Sequence, residues 1–234
     1  MKGGIDTEEF ANDLMEALEV HTVFTIPIGD GIPVYESVVV TWIIMAVFTL
    51  LSIILVRNLR VENVSKKQLM LESFIEFLQN FFEGTVGKNG KRYVPYLITV
   101  ALYIGASNLI GVFGFTPPTK DMNVTAALAI ASIILIEYSG IHQKGVKGWL
   151  KAFGQPVPVI APLNLLEIII RPLSLCMRLF GNVLGSFVVM ELLKALLPVG
   201  LPVPFSLYFD VFDGLIQAYV FVFLTSLFIK EAVE

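Results

Sequence analysis

The sequence predicts an all-α integral membrane protein, with about five membrane-embedded helices and one amphipathic helix at the membrane interface. Of its 234 residues, 56% are hydrophobic and only 15% are charged, and the mean hydropathy is +0.78, which is far from the composition of a soluble domain. Several apolar stretches reach the roughly 20 residues that a helix needs to cross a hydrocarbon core. Lys and Arg concentrate in alternate connections between these stretches.

The segment before the first apolar stretch is acidic. Residues 1–36 contain eight Asp or Glu residues but only one basic residue, Lys2. Within this segment, Phe10, Leu14 and Leu18 fall on one side of a predicted short surface helix. We therefore predict an extracytoplasmic segment over residues 1–36 and a membrane domain over residues 37–234.

The first part of the membrane domain contains three predicted spans and the interfacial helix. Residues 37–56 carry no charge and predict the first span. Residues 62–84 interleave apolar side chains with glutamates, which suits a helix lying along the interface. Two further apolar runs predict spans over residues 93–116 and 122–141. Because two adjacent prolines form the turn between these runs, we expect an antiparallel hairpin.

The last two predicted helices form a second hairpin. The apolar stretch over residues 163–197 is about 50 Å long as a helix, well beyond a ~30 Å hydrocarbon core. This helix must therefore tilt or bend, and Pro172 is a candidate bend. A proline-rich turn follows, and residues 206–230 predict the final span.

The distribution of basic residues predicts the orientation. The connections on one side of the predicted spans contain Arg57, Arg60, Lys66, Lys67, Lys88, Lys91, Arg92, Lys144, Lys147, Lys151 and Lys230. The other side receives only Lys2 and Lys120. The positive-inside rule makes the first side cytoplasmic, with the N-terminus outside and the C-terminus inside.

Composition also excludes several classes of site. A single cysteine, Cys176, excludes an internal disulfide, and the two histidines, His21 and His142, are too few and too far apart for a histidine metal site. No basic stripe suggests nucleic acid. We therefore expect no metal site, no cofactor and no nucleic-acid partner.

Arg178 is the most informative single residue. Its guanidinium cannot lose its proton, and a charge at membrane depth costs at least about 2.5 kcal/mol. Such a residue normally marks an ion path or a buried acidic partner. Glu167, Arg171 and Asn182 point in nearly the same direction on this helix, and Gly185 keeps that side thin.

The last predicted helix has a matching polar side. Asp210, Asp213 and Gln217 occur at positions i, i+3 and i+7. In an antiparallel hairpin Gln217 lies at about the depth of Arg178, so we expect a hydrogen bond or a water bridge between them. The two aspartates lie nearer the outer turn, where together with Glu191 they are expected to hydrate an entrance and attract cations.

These polar residues occur within family-like motifs. Residues 171–182 read RPLSLCMRLFGN, which resembles the signature of subunit a of the F-type ATP synthase, the stator of its membrane ion channel. Residues 215–221, LIQAYVF, resemble the last-helix motif of that family, and residues 108–111 and 121–125 resemble its middle hairpin. The resemblance covers most of the chain beyond Ser37.

The resemblance implies a role for each polar position. In that family an essential arginine, here Arg178, faces a rotating ring of c subunits, each with one membrane-embedded carboxyl group. A fixed cation favours the ionised carboxylate and blocks leakage between two offset half-channels. The resemblance assigns to the outer half-channel Asn108, Asp121, Asn123, Asn182 and Gln217. It assigns to the inner half-channel Glu167, Arg171 and Ser174.

The sequence departs from the family pattern at two positions. Phe187 stands where the family usually has a titratable Glu or His, and Asp210 stands where His or Glu is frequent. Glu191 lies one helical turn beyond Phe187, within about 40° of its direction. We therefore hypothesise that Glu191 supplies the missing carboxyl group.

The function implied is that of an ion-translocating stator subunit with H⁺ as the coupling ion and no chemistry of its own. The same role with Na⁺ is the alternative, and a secondary transporter is a distant one, because we find no internal repeat. The implied partners are the c ring, the peripheral-stalk subunit b, the remainder of the complex and the lipid bilayer. The implied location is the bacterial inner membrane.

Overall fold

The computed structural model describes residues 21–27, 31–57, 59–61, 64–152, 154, 159, 161–196 and 202–234, without the side chains of residues 194–196, 202 and 203. The short helix predicted around Phe10, Leu14 and Leu18 lies outside these residues.

A small β-hairpin precedes seven α-helices in the described chain. The hairpin pairs β1 (Thr22–Ile26) with β2 (Ile32–Tyr35) in antiparallel register. The helices are α1 (Glu36–Val56), α2 (Lys66–Val86), α3 (Val94–Leu109), α4 (Met122–Ala152), α5 (Ala161–Leu196), α6 (Pro202–Ser206) and α7 (Gly214–Val233). Short 3₁₀ segments cover Lys88–Tyr93, Ile110–Phe113 and Pro118–Lys120, and a π-helix covers Leu207–Asp213.

Within the described residues, five helical stretches are long and apolar enough to cross a membrane, which confirms the predicted fold class. They cover Glu36–Val56, Lys88–Phe113, Met122–Ala152, Ala161–Leu193 and Pro204–Val233. The amphipathic helix α2 is not among them. The β-hairpin was not predicted, because its strands are short and lie within the acidic segment before the first span.

The core of the bundle lies among α3, α4, α5 and α7. Leu97, Ile104, Leu179 and Val222 are completely buried there. Helix α7 packs against both α3 and α4, whereas α5 packs mainly against α4. Because α5 makes fewer contacts with α7, part of the surface between these two helices stays open.

Helix α1 is attached to this core through one narrow side. Only Ser37, Val40 and Ile44 are buried in it, while most of its other apolar side chains are exposed. Thr41 Oγ1 lies 2.9 Å from Tyr103 Oη on α3. Exposed apolar surface of this kind suits contact with lipid, because lipid tails are as apolar as the side chains themselves.

The helix α4 is longer than the span predicted over residues 122–141. It continues to Ala152 through a kink at Gly145, whose φ of 69° is readily adopted by glycine. Trp149 Nε1 donates a 2.8 Å hydrogen bond to Glu137 Oε2 across this kink. The kink therefore lets the end of α4 fold back on its own preceding turns.

The two ends of the bundle differ in the connections that they carry. The turn end is the end at which residues 114–121 connect α3 to α4. The basic end is the opposite one, at which residues 87–93 lead into α3.

Candidate functional site

Arg178 lies in the middle of α5 on its exposed side. Leu175, Cys176 and Leu179 are buried against the core, with exposed fractions of 1%, 5% and 0%, whereas Arg178 and Met177 are exposed. Among the residues that the structure describes, no carboxylate lies within ion-pair distance of Arg178. The helix therefore presents a permanent cation whose counter-charge is not supplied by the described part of its own chain.

The side of α5 around Arg178 carries small residues. Ser174, Gly181 and Gly185 are exposed on the same side of α5, at separations of three to seven residues from the arginine. A Cβ atom built at either glycine meets no heavy atom within 4 Å. We call Ser174, Arg178, Gly181 and Gly185 the arginine face. Small residues at helical spacing allow another helix to approach the backbone closely.

A hydrogen bond connects α5 to α7 next to the arginine face. Asn182 Nδ2 donates to Gln217 Oε1 at 2.7 Å. The direct hydrogen bond expected between Gln217 and Arg178 is not formed, because Asn182, one turn further along α5, takes the amide oxygen of Gln217. Gln217 is 2% exposed, and its Nε2 has no hydrogen-bond partner in the described part of the chain. A buried donor without a partner costs about 1–3 kcal/mol, which is unusual for a residue that serves only packing.

A cavity of about 620 Å³, lined by apolar side chains with a set of polar and charged ones among them, opens between the helices at the turn end. Six of the residues predicted for the outer half-channel line it: Asn108, Asn182, Glu191, Asp210, Asp213 and Gln217. The cavity thus runs from the turn after α3 to the Asn182–Gln217 hydrogen bond. Asn182 and Glu191 point to different sides of α5, and both line the cavity.

Carboxylates dominate the charge of the cavity. Asp210 Oδ2 accepts a 2.6 Å hydrogen bond from Ser206 Oγ, and Asp213 accepts one from Ser186 on α5. Both aspartates belong to the π-helix Leu207–Asp213, and both line the same cavity. Glu191 lies on the facing helix. Three carboxylates in one recess attract cations and hold water.

Two residues predicted for the outer half-channel do not line this cavity. Asp121 is 4% exposed, and its two oxygens accept hydrogen bonds from Ser37 Oγ at 2.6 Å and from the backbone N–H of Asn123 at 2.9 Å. The side chain of Asn123 is exposed. Asp121 therefore joins α1 to the first turn of α4 and holds the turn end together.

Asn108 fixes the wall of the cavity. Its Nδ2 donates to the carbonyl of Gly214 at 2.9 Å, and its Oδ1 accepts from Thr119 Oγ1 at 2.7 Å. A Cβ at Gly214 would lie 2.8 Å from the Cβ of Asn108, so only glycine permits this approach. One side chain thus connects α3, the turn end and the start of α7.

The residues predicted for the inner half-channel lie toward the basic end. Arg171 donates hydrogen bonds to Glu167 on its own helix and to Glu231 on α7, the latter at 2.8 Å. Its guanidinium carbon also lies 4.8 Å from the ring centroid of Phe228. Arg171 is therefore neutralised by its neighbours, whereas Ser174 stays on the arginine face.

Sequence reasoning missed one charged residue of the cavity, Lys120. Lys120 was treated only as part of a connection, yet it lines the cavity, and its Nζ lies 3.7 Å from the ring centroid of Phe187. The pair joins residues 67 positions apart. A tertiary contact of this kind leaves no signal in the local sequence pattern.

Comparison with known proteins decides the family. A family model described as ATP synthase A chain matches residues 38–230. This chain belongs to the ATP synthase A chain family. Curated relatives in that family include ATP synthase subunit a of Moorella thermoacetica, 40% identical over 205 residues, which cover 87% of this chain and 93% of the relative. They also include ATP synthase subunit a 2 of a Bradyrhizobium species, 32% identical over 86% of this chain and 90% of the relative.

A third relative bears on the transported ion. ATP synthase subunit a of Propionigenium modestum, described as sodium ion specific, is 31% identical over 87% of this chain and 75% of its own length. The family match confirms the resemblance of this chain to subunit a of the ATP synthase. It supports the role of an ion-channel stator within the ATP synthase complex and a multi-pass membrane location.

Proposed function

We propose that this chain is the proton-translocating stator of a rotary ATP synthase, in which Arg178 faces the carboxyl groups of a c ring. The observation that carries the proposal is the exposed Arg178 on a thin helix face, without a carboxylate partner in the described part of the chain. A stationary cation of this kind needs a counter-charge that comes from another subunit. A ring of carboxyl-bearing helices provides one at each step of rotation.

The charge of Arg178 suits the release of protons from the ring. Two unit charges 4 Å apart interact by about 4 kcal/mol at an effective dielectric constant of 20. This energy favours the ionised carboxylate by about three pKa units. A protonated carboxyl group that reaches Arg178 therefore gives up its proton. The resulting carboxylate leaves Arg178 only when it binds a new proton in place of the guanidinium.

The cavity at the turn end forms the outer half-channel in this proposal. Its acidic recess collects protons, and its polar lining ends at Asn182 and Gln217. Asn182 is four residues from Arg178, about 6 Å along the helix axis. A proton delivered at the Asn182–Gln217 pair is thus within one helical turn of the arginine face.

The inner half-channel is assigned to the side of Arg178 that leads to the basic end. Glu167 and Arg171 lie there, and Ser174 connects them to the arginine face. The ion pairs of Arg171 with Glu167 and Glu231 hold α5 and α7 together between Arg178 and the basic end. Offsetting the two passages on opposite sides of Arg178 prevents protons from crossing without rotation.

The orientation follows from the charge of the two ends. The basic end carries Lys88, Lys91 and Arg92 and faces the cytoplasm, and the turn end faces outward. We place the protein in the bacterial inner membrane, where subunit b of the peripheral stalk holds it against the c ring. Residues 1–36 then lie outside the cytoplasm as an acidic segment.

Na⁺ coupling is the second candidate, because the relative from Propionigenium modestum is described as sodium ion specific. The two ions are separated by measuring ATP hydrolysis of the purified complex with and without Na⁺. Proton coupling predicts equal rates and ATP-driven acidification of proteoliposomes in Na⁺-free medium. Stimulation by Na⁺ together with absence of acidification would instead establish sodium coupling.

The role of Arg178 is tested with a matched pair of arginine variants. Arg178→Gln removes the cation of the arginine face, and Arg92→Gln removes an exposed cation of the basic end, outside both proposed passages. ATP-driven proton uptake by the reconstituted complex should disappear in the first variant and persist in the second. Uptake that survives Arg178→Gln at half the unmodified rate or more would refute the proposal.

A further inference from the structure

Lys120 occupies a rigid position at the mouth of the cavity. The residues on both sides of it are buried, with exposed fractions of 0% for Thr119 and 4% for Asp121. Thr119 is hydrogen-bonded to Asn108, and Asp121 accepts a hydrogen bond from Ser37. The backbone that carries Lys120 is therefore fixed to α1 and α3, which restricts where its ammonium group can lie.

The ammonium group of Lys120 faces an aromatic ring and two carboxylates. Its Nζ lies 3.7 Å from the ring centroid of Phe187, a distance typical of a cation–π interaction. Glu36 at the start of α1 and Glu191 on α5 attract it electrostatically. Burial lowers the pKa of Lys120, and these two carboxylates act in the opposite direction by favouring the charged form.

This arrangement has a consequence for the ions that can enter. An alkali cation that enters a narrow recess loses water and needs several oxygen ligands in return. The carboxylate of Glu191 is one of the oxygen groups that the cavity offers, and it interacts with Lys120. The described residues contain no group of three or more acidic, His or Cys side chains placed to hold a metal ion. A proton moves along hydrogen bonds and needs no such cage.

We propose that Lys120 is a selectivity-determining residue of the cavity, which excludes Na⁺ and other alkali cations and leaves the passage open to protons. The proposal rests on the proton-translocating function proposed above. The Lys120 ammonium group takes the place that a mobile cation would occupy beside Glu191, and it repels any second cation at the mouth.

Lys120 also stabilises the packing of the cavity mouth, and the experiment must distinguish this effect from the effect of its charge. Its contact with Phe187 joins the turn end to α5, so any substitution can loosen the mouth of the cavity. Lys120→Met keeps an unbranched stem of similar length without the charge, and Lys120→Arg keeps the charge. Phe187→Leu removes the ring partner but leaves the charge of Lys120 in place.

The test uses the whole complex in proteoliposomes, with ATP synthesis driven by an imposed pH difference and membrane potential. NaCl replaces choline chloride in the compartment that faces the turn end, and the rate with Na⁺ is divided by the rate without it for each variant. The c ring is the same throughout, so differences between variants report on this chain. Removing a positive unit charge within about 8 Å of a site raises the affinity of that site for a cation by about tenfold or more at an effective dielectric constant of 20.

Lys120→Met should therefore be inhibited by Na⁺ at concentrations at least about tenfold lower than the unmodified complex, whereas Lys120→Arg and Phe187→Leu should keep its tolerance. Equal Na⁺ tolerance in Lys120→Met would overturn the proposal, as would equal sensitivity in all three variants, which would show a mechanical role. Lys120→Gln gives a second neutral variant should Lys120→Met fail to assemble. The proposed function fails separately, through loss of proton uptake in the unmodified complex without Na⁺.

Discussion

Asn182 on α5 and Gln217 on α7 are joined by a 2.7 Å hydrogen bond at the inner end of the cavity. The bond uses the oxygen of Gln217 and leaves its buried Nε2 without a partner among the described residues. Since Asn182 is one turn from Arg178, the pair marks the point at which the cavity meets the arginine face. A proton path through this point depends on both amides.

Replacing Asn182 by Leu should impair proton delivery. The change leaves both polar groups of the buried Gln217 amide without a protein partner, and losing one such hydrogen bond is worth about 1–3 kcal/mol, or roughly tenfold or more in a rate that depends on it. ATP-driven proton uptake of the reconstituted complex should fall by about that factor. Asn123→Leu is the control, because the side chain of Asn123 is exposed and does not line the cavity. Equal rates for the two variants would contradict a role of Asn182 in the path.

Enlarging the arginine face should prevent contact with the ring and leave the chain intact. Gly181→Leu projects a side chain into space that is open within this chain, because a Cβ there meets nothing within 4 Å. Gly84→Leu on α2 is the matched control, since a Cβ at Gly84 also meets nothing within 4 Å. We expect normal amounts of both variants in membranes, but loss of coupled ATP synthesis and of cross-linking to c subunits only for Gly181→Leu. If Gly181→Leu kept coupled ATP synthesis, the c ring would not contact the arginine face.

Periodicity and composition predicted the helical class because charge is so strongly excluded from membrane spans. The uncharged run beginning at Ser37 predicted a membrane-spanning helix, and the helix α1 covers that run. The grouping of Asp210, Asp213 and Gln217 also followed from a simple rule, since positions i, i+3 and i+7 lie on one side of an α-helix. The detail differs, because Asp210 and Asp213 lie in a π-helix rather than in a regular α-helix.

Contacts between distant parts of the chain could not be predicted from the pattern. The Lys120–Phe187 contact depends on how the turn end packs against α5, and the Asn182–Gln217 bond depends on the axial offset of α5 and α7. The sequence pattern does not fix that offset to within one helical turn, and the hydrogen bond of Gln217 goes to Asn182 rather than directly to Arg178. Asp121 belonged to a recognised motif, but only the structure shows its hydrogen bond to Ser37.

Asp121 is expected to act on stability more than on the proton path. Asp121→Ala removes the hydrogen bond from Ser37 and the cap of the backbone N–H of Asn123, at a cost of about 1–3 kcal/mol. The thermal unfolding midpoint of the purified complex should fall. Ser37→Ala should give a smaller decrease, and the double variant should lose less than the sum, because the two residues share one bond. Strict additivity would show that this bond contributes nothing.

Glu191 is expected to supply the titratable carboxyl group that Phe187 does not provide. It lies one turn beyond Phe187 on α5 and lines the same cavity as Asp210. Glu191→Gln should lower ATP-driven proton uptake by about a hundredfold, the lower end of the range typical of a proton-transferring group, and Glu191→Asp should restore part of it. Asp210→Asn should have a smaller effect, because Asp210 is already engaged by Ser206. Uptake unchanged in Glu191→Gln but abolished in Asp210→Asn would assign the transferring carboxyl group to the π-helix instead.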